Sequence, residues 1–196
     1  MWLLILGIAV FLGIHLVPAV AGLRASLVQS LGESGYRIAF SVLSLAGLVL
    51  LFLGYANARS DAPDLWQPPE WTRHLTMLLM LFAFICLAAS MIPSRIGAIL
   101  KHPMLTGIKI WALAHLIANG DAASMVLFGS FLAYAVFDRI SLKGRDPAFV
   151  KTGRPGTLQG DMLVIVAGVI AYVAMLLVGH TYIVGVPLLS GVPLLS

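Results

Sequence analysis

Charge is what this sequence has least of. Lys, Arg, Asp and Glu make up 10% of its 196 residues, where an ordinary soluble domain carries about 25%. Cysteine is nearly absent. Cys86 stands alone inside an apolar run, which excludes an intrachain disulfide framework and leaves the thiol as a small buried hydrophobe. The eight acidic residues form nothing like the paired carboxylates of a general acid–base site. No nucleophilic triad and no glycine-rich phosphate loop can be read from the chain either.

What fills the chain is apolar. Hydrophobic residues account for 60% of it, and the mean hydropathy is +1.00. The class is therefore an all-α, polytopic transmembrane helix bundle, and the length suits one domain, 1–196. A helix needs about 20 apolar residues to cross the hydrocarbon. Six stretches qualify: 2–23, 36–56, 75–93, 103–119, 122–137 and 162–181. The fourth and fifth are short. Only Asn119-Gly120-Asp121 divides them, which reads as a tight turn between helices.

The net charge of +4 is a matter of topology. No Lys or Arg precedes the first apolar run, and Arg24 follows it, so that run is expected to be a retained helix with its N-terminus outside. With that orientation the inner loops hold Arg24, Arg37, Arg95, Lys101, Arg139, Lys143, Arg145, Lys151 and Arg154. The outer loops hold Arg59 and Arg73 alone, a clear positive-inside bias. The outer loop at 57–74 instead carries Asp61, Asp64 and Glu70, with Trp66 and Trp71 where interfacial aromatics sit. A nucleic-acid partner is not expected; the partner is the lipid bilayer.

The inner segment 138–161, "DRISLKGRDPAFVKTGRPGTLQGD", reads as a solvated, mobile cytoplasmic loop on anionic lipid. The terminus 185–196 repeats "GVPLLS" once, too short for a solenoid. Small residues mark close helix contacts in lipid: Ser41, Ser44, Gly47 and Gly54 in the second span, and Ala167, Ala171 and Ala174 in the last. Pro18 denies the carbonyl of Ile14 its helical donor and should bend the first helix beside His15.

The chemistry concentrates in "HPMLTGIKIWALAHLIANGD", 102–121. Ionisable groups inside a membrane are costly and mark function by default. His74 and His180 fall at outer ends of spans, and His102 at an inner end. His15 and His115 lie deeper. At about 1.5 Å per residue, His15 is roughly 10 Å and His115 roughly 18 Å from the inner ends of their helices. His102 and His115 are thirteen residues apart, which puts them about 20 Å apart on one helix and excludes a shared metal.

The plain role of a single intramembrane histidine is an interhelical hydrogen bond. Two at compatible depth, without acidic ligands nearby, point instead to a soft imidazole-only site, which suits haem iron. Trp111 is placed to pack on a macrocycle edge. Asn119 either caps its helix or bonds a ligand. Lys109 either snorkels to the inner surface or pairs with a haem propionate.

The stretch "HPMLTGIKIWALAHLIANGD", with "GIHLVPAVAGLR" and "SGYRIAFSVLSLAGL" before it, resembles the NnrU family over nearly the whole chain. Bacterial members of that family are associated with denitrification and nitric oxide metabolism, and plant and cyanobacterial relatives are 15-cis-ζ-carotene isomerases carrying haem b. The resemblance implies haem b as cofactor, His15 as a ligand, and functional importance for His115 and His102. The isomerase also has a histidine just after its second span; here that region reads "YANARSDAPDLW", with none.

The expected function is that of a haem-binding protein of the bacterial inner membrane supporting nitric oxide or nitrite metabolism, with a small gas as ligand. A haem-dependent cis–trans isomerase of a carotenoid-like polyene is the alternative. A cofactor-free transporter or assembly factor is the third. The expected haem lies between the first and fourth spans, on His15 and His115, with His102 or His180 able to replace one of them if a helix is tilted or broken. A reporter fused after residue 150 is expected to behave as cytoplasmic; periplasmic activity of that fusion would overturn the topology.

Overall fold

The structure, a computed structural model, describes residues 1–145 and 156–188. The described residues are helical nearly throughout: α1 (Trp2–Leu16), α2 (Ala21–Arg59), α3 (Trp71–Met91), α4 (Arg95–Leu100), α5 (Pro103–Ala118), α6 (Ala122–Arg145), α7 (Leu158–Ala174) and α8 (His180–Val184). Helices α2, α3 and α6 are long and apolar enough to cross a membrane, as are the continuous 2–19 and 158–184 segments. Helix α5 is shorter and equally apolar. This is a helical integral membrane bundle.

Several local details differ from expectation. Pro18 ends α1 instead of bending it. It sits in a 3-10 turn (Val17–Ala19), and the orphaned carbonyl of Ile14 accepts from the Val17 N–H instead. His15 is thus one residue from the end of its helix. Helix α2 runs 39 residues, about 58 Å and far more than one crossing requires. Gly32 (φ 71, ψ 163) breaks it, a conformation open to glycine without a Cβ penalty. The piece before Gly32 exposes Arg24, Gln29 and Ser30. Across the break, Glu33 pairs with Arg24 at 3.7 Å, and on its own side it pairs with Arg37 at 3.1 Å.

The 138–161 segment is less of a loop than its composition suggests. Helix α6 continues to Arg145, and Thr157 caps α7 by accepting from the Gly160 N–H at 3.0 Å. Asp161 accepts from the Ile96 N–H at 3.0 Å, at the start of α4. A Cβ on Gly156 or Gly160 would strike the backbone of Pro93, Ser94 or Arg95, so this flank is packed. Residues 146–155 and the tail beyond Leu188 lie outside the described residues.

Close helix approach is carried by glycine. In α1 and α2 a Cβ on Gly54 would meet the backbone of Leu4, one on Gly7 the backbone of Leu50 and Leu51, and one on Gly47 the backbone of Phe11. The two helices are therefore antiparallel, with Leu4 beside Gly54 and Phe11 beside Gly47. Gly47 and Gly54 serve as the sequence implied. In α7 the small-residue contact falls elsewhere: Gly168 lies against Ile85 of α3, and Gly160 and Val164 share its buried face, while Ala171 and Ala174 are exposed. A shift of one residue, which rotates the contact face by roughly 100°, is invisible in a helix apolar all round. Cys86 is buried and free.

Gly54→Leu is expected to force α1 and α2 apart and cost about 1–3 kcal/mol of overpacking strain, read as a lowered thermal transition in detergent. Gly13→Ala, where nothing stands within 4 Å of an added Cβ, should stay within about 0.5 kcal/mol. Equal behaviour of the two variants would contradict the packing.

Candidate functional site: a histidine-lined cavity

The turn Asn119-Gly120-Asp121 builds one end of the bundle. Asn119 Nδ2 donates to the His115 carbonyl at 2.8 Å and closes α5, the capping role. Gly120 is buried, and a Cβ there would collide with the Trp66 carbonyl. The outer loop clamps the turn: Leu65 N–H donates to the Gly120 carbonyl at 2.8 Å, and Ala122 N–H to the Pro63 carbonyl at 3.0 Å. Asp121 then caps α6, accepting from the Ser124 N–H at 2.8 Å and the Ser124 hydroxyl at 2.6 Å. An ionised Asp121 only accepts, so Ser124 turns its lone pairs to Tyr55, whose hydroxyl lies 2.8 Å away. Ser124 is fully buried. This three-residue chain was not foreseen. Its trace in the sequence is an Asp three residues before a Ser at a helix start.

Beneath the turn lies a cavity of about 1210 Å³, above the about 300–1,000 Å³ usual for small-ligand sites. Its walls include Phe11, Tyr55, Trp111, Phe128 and Phe131, with Met77, Met80 and Met175. Into this apolar space come the imidazoles of His74, His115 and His180, and the cations Arg59 and Arg73 stand where α2 ends and α3 begins. Phe128 stacks on His115 at 4.6 Å between centroids. Trp111 touches His115, Phe128 and Phe131 at 5.5, 5.0 and 5.4 Å.

Of the residues singled out from the sequence, His115, Trp111 and Asn119 line this cavity and His15, His102 and Lys109 do not. The similar depths expected for His15 and His115 do not arise. His15 is thirteen residues into α1 from Trp2, roughly 20 Å, whereas His115 is three residues from the end of α5, roughly 5 Å. Thr76, near the start of α3, donates to the Ala114 carbonyl at 2.8 Å and confirms that level. The helix ends produce the difference: the first helix stops at Leu16, seven residues before the expected limit.

His15 packs instead on Phe11 (4.3 Å), Phe40 (5.1 Å) and Tyr134 (6.3 Å). His102 is buried at the far end of α5. Burial, then the nearby Arg139 charge, holds its pKa below the usual value for histidine.

The histidines share one device. Nδ1 of His115 bonds the Trp111 carbonyl at 2.8 Å, that of His15 the Phe11 carbonyl at 2.6 Å, and that of His180 the Val186 carbonyl at 2.7 Å. A carbonyl only accepts, so Nδ1 carries the proton and, in each neutral ring, Nε2 keeps its lone pair. Among the described residues no three His, Cys, Asp or Glu side chains gather as a metal-holding group. The cavity's candidate donors are the imidazoles of His74, His115 and His180, the thioethers of Met77, Met80 and Met175, the Tyr55 hydroxyl and the Glu70 carboxylate.

The family model described as NnrU protein matches residues 3–188. The chain belongs to the NnrU family. It is also similar to the chloroplastic 15-cis-zeta-carotene isomerase of Zea mays, at 26% identity over 146 residues, which is 65% of this chain and 39% of the maize protein. This NnrU chain thus spans well under half of that relative's length. No solved structure matches it.

Ser124→Ala is expected to leave Asp121 and the Tyr55 hydroxyl short of a partner, at a cost of about 1–3 kcal/mol, seen as a lowered thermal transition in detergent. An unchanged transition would mean the chain Tyr55–Ser124–Asp121 carries no stability.

Proposed function

We propose that this protein is a haem b-binding integral membrane protein that supports nitric oxide or nitrite metabolism, placed in the bacterial inner membrane with its N-terminus outside. The observation that carries the reading is the cavity holding His115. An imidazole of fixed tautomer presents its lone pair to an aromatic and methionine-rich space too large for a bare ion. The residues fit a haem. His115 would hold its iron, Trp111 and Phe128 would pack on its ring, and Arg59 and Arg73 would meet its carboxylates. Lys109, the alternative carboxylate partner, is away from the cavity wall. Bound there, haem supplies a redox-active iron able to take a small gas as ligand. The chain's own part is to exclude water with apolar walls and to orient the imidazole.

A second reading has support of its own. The maize relative bears the name of a carotene isomerase, and a cavity of about 1210 Å³ also suits a length of polyene beside a haem. Incubating the haem-loaded protein with 15-cis-ζ-carotene and separating the isomers by chromatography distinguishes the two. Conversion above the haem-only control supports the isomerase.

The purified protein is expected to show a Soret band and about one haem per chain. Loss of an outer partner to a metal ligand typically costs about 10–100-fold in affinity, so His115→Ala, which removes the ligand itself, should lower haem affinity at least that far. A wild-type protein with no Soret band after expression with haem supplied would overturn the reading and favour a cofactor-free transporter or assembly factor.

A further inference from the structure

The side of the cavity where α2 meets α6 carries a hydroxyl whose proton is already committed. We propose that Tyr55, oriented by Ser124 and Asp121, is the hydrogen-bond acceptor that selects an organic ligand of the cavity: an apolar aromatic molecule bearing a hydroxyl donor, of the phenol or quinol class. The inference stands apart from the haem reading and concerns a different part of the wall.

The direction of the chain follows from its far end. An ionised Asp121 carboxylate has no proton to give. The Ser124 hydroxyl donates to it at 2.6 Å and the Ser124 N–H at 2.8 Å. With its one proton used there, the Ser124 oxygen receives from the Tyr55 hydroxyl at 2.8 Å. Tyr55 therefore turns its proton away from the cavity it lines, and its oxygen keeps a lone pair for a ligand. A free phenol can rotate its hydroxyl to serve a donor or an acceptor. Here the rotation is blocked: Ser124 is fully buried, and turning the Tyr55 proton to the cavity would leave the Ser124 lone pairs without a donor.

Arg59 adds the complementary group. It stands four residues after Tyr55 on α2, so the two side chains share a helix face, and both line the cavity. Among the described residues the charges that act on the Tyr55 hydroxyl are Asp121 and Arg59. A ligand hydroxyl is both donor and acceptor. Its proton meets the Tyr55 oxygen, and its oxygen meets the Arg59 guanidinium. A ketone or an ether offers only the second half. A phenol-type hydroxyl suits the pair best, because its proton is more acidic than that of an alkyl alcohol and a guanidinium stabilises charge on its oxygen. Trp111 and Phe128, edge to face at 5.0 Å, supply aromatic surface for its ring, and Phe128 lies beside Tyr55 at 6.2 Å.

The simpler role of the chain is to cap α6 and satisfy buried groups. Capping needs only the Ser124 N–H and Asp121, and it uses neither hydroxyl. The experiment measures binding of 2-naphthol and 2-methoxynaphthalene to the full-length protein in detergent, by equilibrium dialysis against the same detergent. The probes share a ring system and differ in the donor. Each protein's preference is the ratio of the two affinities, divided by the same ratio for detergent alone. Wild type should prefer the naphthol about two- to tenfold, the size of one net hydrogen bond. Tyr55→Phe should abolish the preference. Ser124→Ala frees the Tyr55 proton to face the cavity, so 2-methoxynaphthalene should gain affinity and the preference should shrink. Tyr55→Phe combined with Ser124→Ala removes both hydroxyls, serves where a single variant does not fold, and should also show no preference. A wild type that binds no naphthol or shows no preference would overturn the proposal. So would a preference kept by Tyr55→Phe or by the double variant, or wild-type affinities for both probes in Ser124→Ala. Haem content is measured on the same samples, and its absence would end the haem reading while leaving each of these outcomes decisive.

Discussion

A polar atom among apolar helices has no water to turn to, and the arrangement of this protein follows from that constraint. His15 and His115 each bond the carbonyl four residues earlier in the same helix. Thr76 and Ser90 also find carbonyls. Tyr55, Ser124 and Asp121 satisfy one another in a chain. The bonds that quench each histidine's Nδ1 also expose its Nε2. One solution to a desolvation problem thus prepares the group for binding.

The cavity belongs to one end of the bundle. The end of α2, the start of α3, the end of α5 and the turn after α7 meet there, and the Asn119-Gly120-Asp121 turn, clamped by the 63–66 loop, holds them in register. Glycines set the helix spacing below it: Leu4 can touch Gly54 and Phe11 can touch Gly47 because neither glycine has a Cβ. In lipid that closeness supplies the van der Waals contact that a hydrophobic drive cannot. Phe11 then reaches the cavity wall and packs on Phe131 at 5.7 Å, which joins the α1–α2 pair to α5 and α6 through Trp111.

Much of the fold was legible in residue order because lipid imposes coarse rules. Apolar runs of helical length and a tight Asn-Gly-Asp turn needed no tertiary information. Helix ends were less legible. The apolar character of "VPAVAGL" continues past the point where Pro18 stops α1, and hydropathy does not register a lost hydrogen bond. Helix α6 ran on past the expected limit at 137, through polar residues that composition assigns to a loop. In α7 the contact face was misplaced, because Ala171 and Ala174 are small like Gly168 but face outward.

By itself the sequence determined the membrane class and the helical bundle, and it singled out His115, Trp111 and Asn119 within one span. Each of these follows from local chemistry: hydropathy, hydrogen-bonding capacity, or a charge too costly to place without purpose. Only the tertiary structure decided which histidines share a space. Depth in a bundle depends on where each helix ends and on the register set by its neighbours, and a direction depends on the turn before it. His15 was carried away from the cavity by the early end of α1, and His180 was brought to it by the π-turn at Met175–Gly179. Neither a 3-10 stop nor a π-turn leaves a periodic trace in a chain apolar on every side.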